Sequence, residues 1–172
     1  MFEFPPVECP GLAEAEIMTR IVRVESSGNP FAIGVVGARL QRQPATLQEA
    51  VQTIEQLEKA GFNYSIGLSQ INRVHFKRLG WVGDMKQGFE ACRNLQAGAD
   101  IYVRCKQGAA RSSKAASPDA TLRSALSCYY SGNYVDGERL GYVDKVLADK
   151  VIAHSGNKFP PRPAPSSRSM FD

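Results

Sequence analysis

Three short segments of the sequence concentrate the polar side chains that could do chemistry. They are residues 25–30 (ESSGNP), 67–72 (GLSQIN) and 129–134 (YYSGNY). Glu25 is the only acidic residue within these three segments. A single carboxylic acid surrounded by hydroxyl and amide groups is suited to general acid–base catalysis, in which one group gives a proton and later takes one back.

Other catalytic signatures are absent from the sequence. It has no phosphate-binding loop, no dinucleotide-binding glycine motif and no metalloprotease motif with paired histidines. Ser69 is not part of a serine-hydrolase nucleophile elbow, because Ile71 stands where that motif needs glycine. The chain has only 2 histidines, and its cysteines form no closely spaced pair. We therefore predict neither a metal site nor a cofactor.

The size and composition of the chain are those of an ordinary globular domain. Its 172 residues are 43% hydrophobic and 22% charged, which excludes wholesale disorder and a fibrous fold. No apolar run approaches the roughly 18 residues that a membrane span requires. The net charge of +4 is small and spread along the chain, so no nucleic-acid partner is predicted.

Helical periodicity dominates the sequence and indicates a mainly α fold. The predicted helices cover residues 11–25, 47–60, 67–79, 89–106, 118–129 and 141–154. The clearest boundaries are a capping box at residues 46–49 (TLQE), a glycine at Gly61 and the pair Ser117 and Pro118. Residues 31–45 are interrupted by glycine and proline and predict a loop.

A fourth segment, residues 94–98 (NLQAG), completes an ordered set of motifs. With these motifs the chain resembles the lytic transglycosylases of the soluble, lysozyme-like superfamily. It looks most like the members that accompany type IV secretion and conjugation machines, because a long stretch with its own helix separates the first two motifs. The resemblance implies one lysozyme-like domain of the goose type, with a substrate groove, over residues 1–154. Residues 155–172 hold four of the ten prolines and predict a flexible tail.

The resemblance implies that Glu25 cuts peptidoglycan. Glu25 would protonate the glycosidic oxygen between N-acetylmuramic acid and N-acetylglucosamine, and then take the proton from the muramyl 6-hydroxyl as a 1,6-anhydro ring closes. Ordinary glycosidases use two carboxylates, but a substrate N-acetyl carbonyl can replace the second one. The double role requires a glutamate pKa raised toward neutrality by an apolar site. The expected wall of that site consists of Val22, Val24, Ile71 and Tyr129.

The same resemblance implies a set of substrate-binding residues: Ser27, Gln70, Asn72, Tyr129 and Tyr130. Tyr130 stands where the family usually has asparagine. Gln70 and Asn72 could instead satisfy backbone groups at a helix start, and Tyr129 could be a core aromatic residue. Two alternatives to a transglycosylase remain at this point. They are a hydrolytic muramidase of the same fold and a non-catalytic wall-binding assembly protein.

The four cysteines allow either two disulfides or four buried thiols. Cys92 and Cys105 would share one helix and lie about 20 Å apart at 1.5 Å rise per residue, too far to be bridged. If the helices that carry Cys105 and Cys128 are antiparallel, Cys128 could lie near Cys92. This arrangement predicts the bridges Cys9–Cys105 and Cys92–Cys128.

The first residues of the chain lack the basic and then apolar pattern of a secretory signal. Either export is not used, or the signal has been removed. The resemblance and the cysteines together favour a periplasmic protein. Its expected partners are peptidoglycan glycan strands and components of a secretion system.

Overall fold

Helices are the main elements of the computed structural model, which describes residues 9–112 and 117–148. The mainly α fold class predicted from the sequence is confirmed. The chain divides into two compact units, Met1–Ala99 and Asp100–Asp172. Within the described residues, no helix combines the length and the apolar character needed to cross a membrane. The tail predicted at residues 155–172, and its boundary at residue 154, lie outside the described part of the chain.

The helices of the first unit are α1 (Ala15–Ser26), α2 (Leu47–Lys59), α3 (Phe76–Leu79) and the first part of α4 (Ala91–Arg111). α2 follows its sequence prediction closely. The Thr46 hydroxyl accepts a hydrogen bond from the Glu49 N–H at 3.2 Å, as a capping box requires. Gly61, with φ of +74°, follows the end of the helix. The apolar face of α2 buries Ala50, Ile54 and Leu57.

A small antiparallel sheet, which the sequence did not predict, lies in the first unit. Its strands are β1 (Ile33–Val35), β2 (Tyr64–Ile66) and β3 (Ile71–Asn72), in the order β1-β2-β3. Ile33 pairs with Ile66 between the first two strands, and Ile66 pairs with Ile71 between the last two. Strands of two or three residues are too short to display an alternating pattern. For this reason β1 was not recognised within residues 31–45, which were predicted to form a loop.

The helix predicted over residues 67–79 is wrong for its first half. Gly67 has φ of +78° and Gln70 has φ of +49°, so a tight turn replaces the predicted helical start. β3 follows this turn, and a 3-10 turn at Arg73–His75 then leads into α3. Left-handed backbone at two positions is incompatible with a right-handed helix, which therefore begins only at Phe76.

The second unit contains the end of α4 followed by α5 (Pro118–Ser131), α6 (Asp136–Arg139) and α7 (Tyr142–Leu147). The Ser117 hydroxyl accepts a hydrogen bond from the Ala120 N–H at 3.1 Å, and Gly132 with φ of +75° ends α5. Both boundaries of α5 use local signals. The sequence did not predict α6, and the helix predicted over residues 141–154 is described only as far as residue 148.

Two disulfides are present, but both predicted pairings are wrong. Cys9 bridges Cys92 with a Cα–Cα distance of 5.5 Å, and Cys105 bridges Cys128 with a Cα–Cα distance of 5.7 Å. Each bridge lies within one unit.

The error has a geometric cause. Six residues separate the end of α4 at Arg111 from the start of α5 at Pro118, and residues at similar distances on either side of a short connection between two helices can come close together. Cys105 and Cys128 lie at similar distances on either side of this connection, whereas Cys92 lies much farther back in α4. Cys92 is therefore left for Cys9, at the start of the described chain.

Candidate functional site

Glu25 lies in the last turn of α1. It is half-buried, and Ser26 beside it is buried. The Ser26 hydroxyl donates to the Val22 carbonyl at 3.1 Å and accepts from the Gly28 N–H at 3.2 Å. These two hydrogen bonds satisfy backbone groups at the end of α1, and they fix the turn that follows Glu25.

The rest of the first motif forms a second turn that leads into β1. The Asn29 side-chain oxygen accepts from the Phe31 N–H at 2.9 Å, and the Asn29 carbonyl accepts from the Ala32 N–H at 3.2 Å. This is the turn that an asparagine before proline favours. Ser27 is exposed and has φ of +52°, an uncommon conformation for a residue other than glycine. The Ser27 side chain is therefore accessible to solvent, and its contact with substrate stays a prediction.

The first motif, through the residues that directly follow it, is joined to the second motif at the carbonyl oxygen of Ala32. The Gly67 N–H donates to this oxygen at 2.9 Å, and the Gln70 side-chain nitrogen donates to it at 3.0 Å. The same nitrogen donates to the Gly67 carbonyl at 3.0 Å. Both N–H groups of the buried Gln70 amide are therefore bound to backbone oxygens, and Gln70 joins two motifs that are distant in sequence.

The Gln70 side chain also requires a glycine in β1. A Cβ atom on Gly34 would lie 2.6 Å from the Gln70 side-chain oxygen, closer than real Cβ contacts allow. The motif residue Gln70 and the strand residue Gly34 are therefore a matched pair. A substrate contact by Gln70 stays a prediction.

Asn94 clamps the turn that carries the second motif, a role that the sequence analysis missed. Its side chain is fully buried. Its oxygen accepts from the Ser69 N–H at 2.7 Å, and its nitrogen donates to the Ile66 and Gly88 carbonyls at 3.0 and 2.8 Å. One side chain thereby fixes both sides of the turn between β2 and β3.

The spacing of Asn94 and Gly98 in the segment at residues 94–98 could have indicated this role of Asn94. Positions four apart lie on the same face of a helix, and Gly98 follows Asn94 at that spacing. A Cβ atom on Gly98 would lie 2.7 Å from the side chain of Ser69 and 2.8 Å from the Met18 methyl group. The asparagine therefore binds the turn, and the glycine lets α4 approach it.

Asn72 is buried with both ends of its amide bound. Its nitrogen donates to the Ser65 hydroxyl at 3.3 Å, across the pair of strands β2 and β3, and its oxygen accepts from the Val74 N–H at 3.1 Å. These contacts match the alternative in which Asn72 satisfies backbone at the start of a helical turn. Its predicted contact with substrate stays a prediction.

The third motif lies in the second unit, at the end of α5. Tyr129 and Tyr130 are each 6% exposed. The Tyr130 ring stacks on Tyr142, with centroids 4.5 Å apart and planes at 19°. One face of the Tyr130 ring is therefore used within the second unit. The substrate contacts predicted for Tyr129 and Tyr130 stay predictions.

A second carboxylate near the sheet of the first unit, that of Glu58, is engaged in an ion pair. Glu58 accepts from the Tyr64 hydroxyl at 2.7 Å and from Arg73 at 2.7 Å. Burial, and then the Glu58 carboxylate, raise the pKa of Tyr64, so this tyrosine stays protonated. No group of three potential metal ligands occurs in the parts of the chain that the structure describes.

Comparison with known proteins places this site in a family. The family described as Transglycosylase SLT domain matches residues 10–143. Type IV secretion system protein virB1 of Brucella suis biovar 1 is 40% identical over 150 residues, which cover 84% of this chain and 62% of that protein. Protein virB1 of Rhizobium radiobacter is 31% identical over 147 residues, covering 84% of this chain and 59% of that protein. No solved structure matches the chain.

The chain spans about three fifths of the length of these relatives. The family match, by contrast, extends over most of the sequence and includes the first two motifs, the segment at residues 94–98 and the end of α5. The chain therefore belongs to the transglycosylase SLT domain family.

Proposed function

We propose that this protein is a peptidoglycan lytic transglycosylase that opens the cell wall locally for a type IV secretion or conjugation apparatus. The family match supports the reaction, and the names of the Brucella relatives support the link to type IV secretion. The observation that carries the proposal is the position of Glu25. It is the only carboxylate in the three motifs, and it lies at a closed helix end whose continuation is bound to the second motif.

One acid can perform both halves of the proposed reaction. In the first half, Glu25 donates its proton to the glycosidic oxygen as the bond from that oxygen to the muramyl anomeric carbon breaks. The N-acetyl carbonyl of the same sugar stabilises the positive charge that develops at this carbon. In the second half, the muramyl 6-hydroxyl attacks the anomeric carbon and Glu25 takes its proton. The enzyme is thereby returned to its starting protonation state.

The other motif residues have supporting roles in this proposal. Ser27, which is exposed beside Glu25, binds a sugar hydroxyl or orients the acid. Gln70 and Asn72 hold the turn through the contacts described above, and both are assigned to substrate binding in this proposal. Tyr129 and Tyr130 bind substrate in this proposal.

We further propose that the protein works in the periplasm, with peptidoglycan strands and secretion-system components as partners. The two disulfides support an oxidising compartment, because such bridges persist outside the reducing cytosol. The names of the Brucella relatives support the partners.

Mass spectrometry of the products released from purified peptidoglycan tests the reaction. A transglycosylase releases muropeptides with 1,6-anhydro ends, which are lighter by one water than the products of hydrolysis. Reducing ends in place of anhydro ends would identify a hydrolytic muramidase and overturn the proposed reaction. Absence of any released product would favour the non-catalytic wall-binding protein.

A further inference from the structure

The side chain of Gln43 occupies the open edge of β1 as a neighbouring strand would. Its oxygen accepts from the Ile33 N–H at 2.8 Å, and its nitrogen donates to the Ile33 carbonyl at 3.0 Å. The amide group therefore reproduces the pair of hydrogen bonds that two residues exchange in an antiparallel ladder.

The sheet order explains why this edge needs a partner. β1 is the first strand in the order β1-β2-β3, so within the described residues one of its sides has no strand beside it. Gly67 reaches the neighbouring Ala32 carbonyl from the β2 side, whereas the polar groups of Ile33 point to the open side. An open edge of this kind normally binds water or another chain. Here a side chain of the protein itself binds it.

Gln43 is held in place by the first turn of α2. Arg42 forms two hydrogen bonds with the Glu49 carboxylate, at 2.9 and 3.0 Å. The same carboxylate accepts from the Ala45 N–H at 2.9 Å. The residues on both sides of Gln43 are thus fixed to Glu49 of α2, and Pro44, which follows Gln43, is buried. These contacts restrain the backbone from which the exposed Gln43 side chain extends.

The bound strand residue lies between two residues that contact the second motif. Ile33 follows Ala32, whose carbonyl accepts from Gln70, and precedes Gly34, which lies against the Gln70 side-chain oxygen. A shift of β1 along its axis would therefore move the junction of the two motifs. Glu25 lies at the other end of the short connection between α1 and β1.

We propose that Gln43 is a positioning residue for the catalytic motifs, and that α2 with the preceding loop serves as its support. The inference rests on the proposed function, and it adds a residue that none of the motifs contains. Gln43 touches neither substrate nor Glu25 in this proposal. It acts through Ile33 on the junction of Ala32 with Gln70, and so affects the rate of the chemical step more than substrate binding.

The first test replaces Gln43 with alanine and uses Gln48→Ala, at an exposed position in the first turn of α2, as the matched control. Amide hydrogen exchange should accelerate at Ile33 by about tenfold or more in the Gln43→Ala protein, since the bond to its N–H is lost. The kcat for release of anhydromuropeptides should fall by about tenfold, with KM changed by less than about twofold. The Gln48→Ala protein should match wild type in all three measurements.

A second variant separates positioning from simple loss of stability. Gln43→Glu keeps an acceptor for the Ile33 N–H but places a carboxylate against the Ile33 carbonyl at neutral pH. Protonation of this glutamate restores a donor, so the kcat ratio of Gln43→Glu to Gln43→Ala should rise as the pH falls toward about 4.3, the usual glutamate pKa. A role confined to packing would leave this ratio constant with pH.

Two outcomes would overturn the inference while the proposed function stands. One is unchanged exchange at Ile33 in the Gln43→Ala protein, and the other is accelerated exchange at Ile33 with kcat equal to that of wild type. A wild-type protein that releases no anhydro product would instead overturn the proposed function, and the catalytic part of this inference with it.

Discussion

At the scale of single residues, Glu25 is the only acidic residue of the three motifs, and hydrogen bonds of the neighbouring Ser26 close the end of its helix. Replacement by glutamine keeps the size and hydrogen-bonding capacity of the side chain but removes the proton that the proposed reaction needs. We expect Glu25→Gln to lower the rate of peptidoglycan cleavage by about a thousandfold or more. Cleavage assays and circular dichroism of the same sample would measure activity and folding together.

Glu16→Gln is the matched control for this substitution. Glu16 lies in the first turn of the same helix, with its side chain 89% exposed and paired only with Arg20 at 3.4 Å. Its loss should leave activity and stability almost unchanged, because exposed ion pairs contribute little. Clearing of peptidoglycan by a folded Glu25→Gln protein at the wild-type rate would disprove the single-acid mechanism.

Asn94 illustrates how one buried residue can hold a functional turn. Asn94→Ala would remove three buried hydrogen bonds, one from the Ser69 N–H and two to the carbonyls of Ile66 and Gly88. A hydrogen bond contributes about 0.5–1.5 kcal/mol, and a buried group that loses its partner costs more, so we expect the free energy of unfolding to fall by about 3 kcal/mol. Urea denaturation would measure this change.

The control for Asn94 is Gln96→Ala. Gln96 is exposed on the same helix and should change the free energy of unfolding by less than about 0.5 kcal/mol. Equal stabilities of the Asn94→Ala and Gln96→Ala proteins would show that the clamp contributes nothing to folding.

At the scale of elements, the Glu49 carboxylate stabilises the start of α2 through hydrogen bonds from Arg42 and the Ala45 N–H. The hydrogen bond from Arg42, and then the bond from the Ala45 N–H, lower the pKa of Glu49 from 4.5 to about 2. Because the folded state favours the charged form, the stabilisation is complete above pH 4.5 and is lost as the pH falls toward 2. Glu49 is partly exposed, so the effect is modest.

This linkage predicts how the stability of a variant changes with pH. Glu49→Gln should have a lower Tm than wild type at pH 7, and the difference should shrink as the pH falls from 4.5 to 2. Glu55→Gln, at an exposed position of the same helix, serves as the control. Thermal unfolding by circular dichroism would measure both. A Tm difference that stays constant across this range would contradict the assigned cap.

At the scale of the whole molecule, each compact unit is closed by its own disulfide. The Cys9–Cys92 bridge spans 83 residues and the Cys105–Cys128 bridge spans 23. Loop-closure entropy predicts stabilisation of about 4.5 kcal/mol for the longer loop and about 3.4 kcal/mol for the shorter one. We expect the paired substitution of Cys9 and Cys92 by serine to lower the free energy of unfolding more than that of Cys105 and Cys128.

Peptide mapping under non-reducing conditions should first establish the pairing, and denaturant unfolding of the two double variants should then rank them. Recovery of a Cys92–Cys128 peptide would contradict the structure. Equal losses from the two double variants would contradict the entropic explanation, because the loops differ in length.

Several helix boundaries and the family could be predicted from the sequence because their signals are short in range. Thr46 and Ser117 cap their helices through bonds to residues three positions ahead, so adjacent residue types reveal both boundaries. The segment around Glu25 is recognised by its residue types alone, and it led to the family that the comparison confirms. The mainly α fold class follows from helical periodicity in the same way.

Contacts between residues far apart in the chain escaped prediction. The sheet rests on strands too short to show a pattern, and the bonds from Gln70 and Gly67 to Ala32 depend on its register. The disulfide partners and the contact of Gln43 with Ile33 were likewise missed or wrongly assigned. Such contacts depend on the path of the intervening chain through space, which neither the propensity nor the spacing of neighbouring residues encodes.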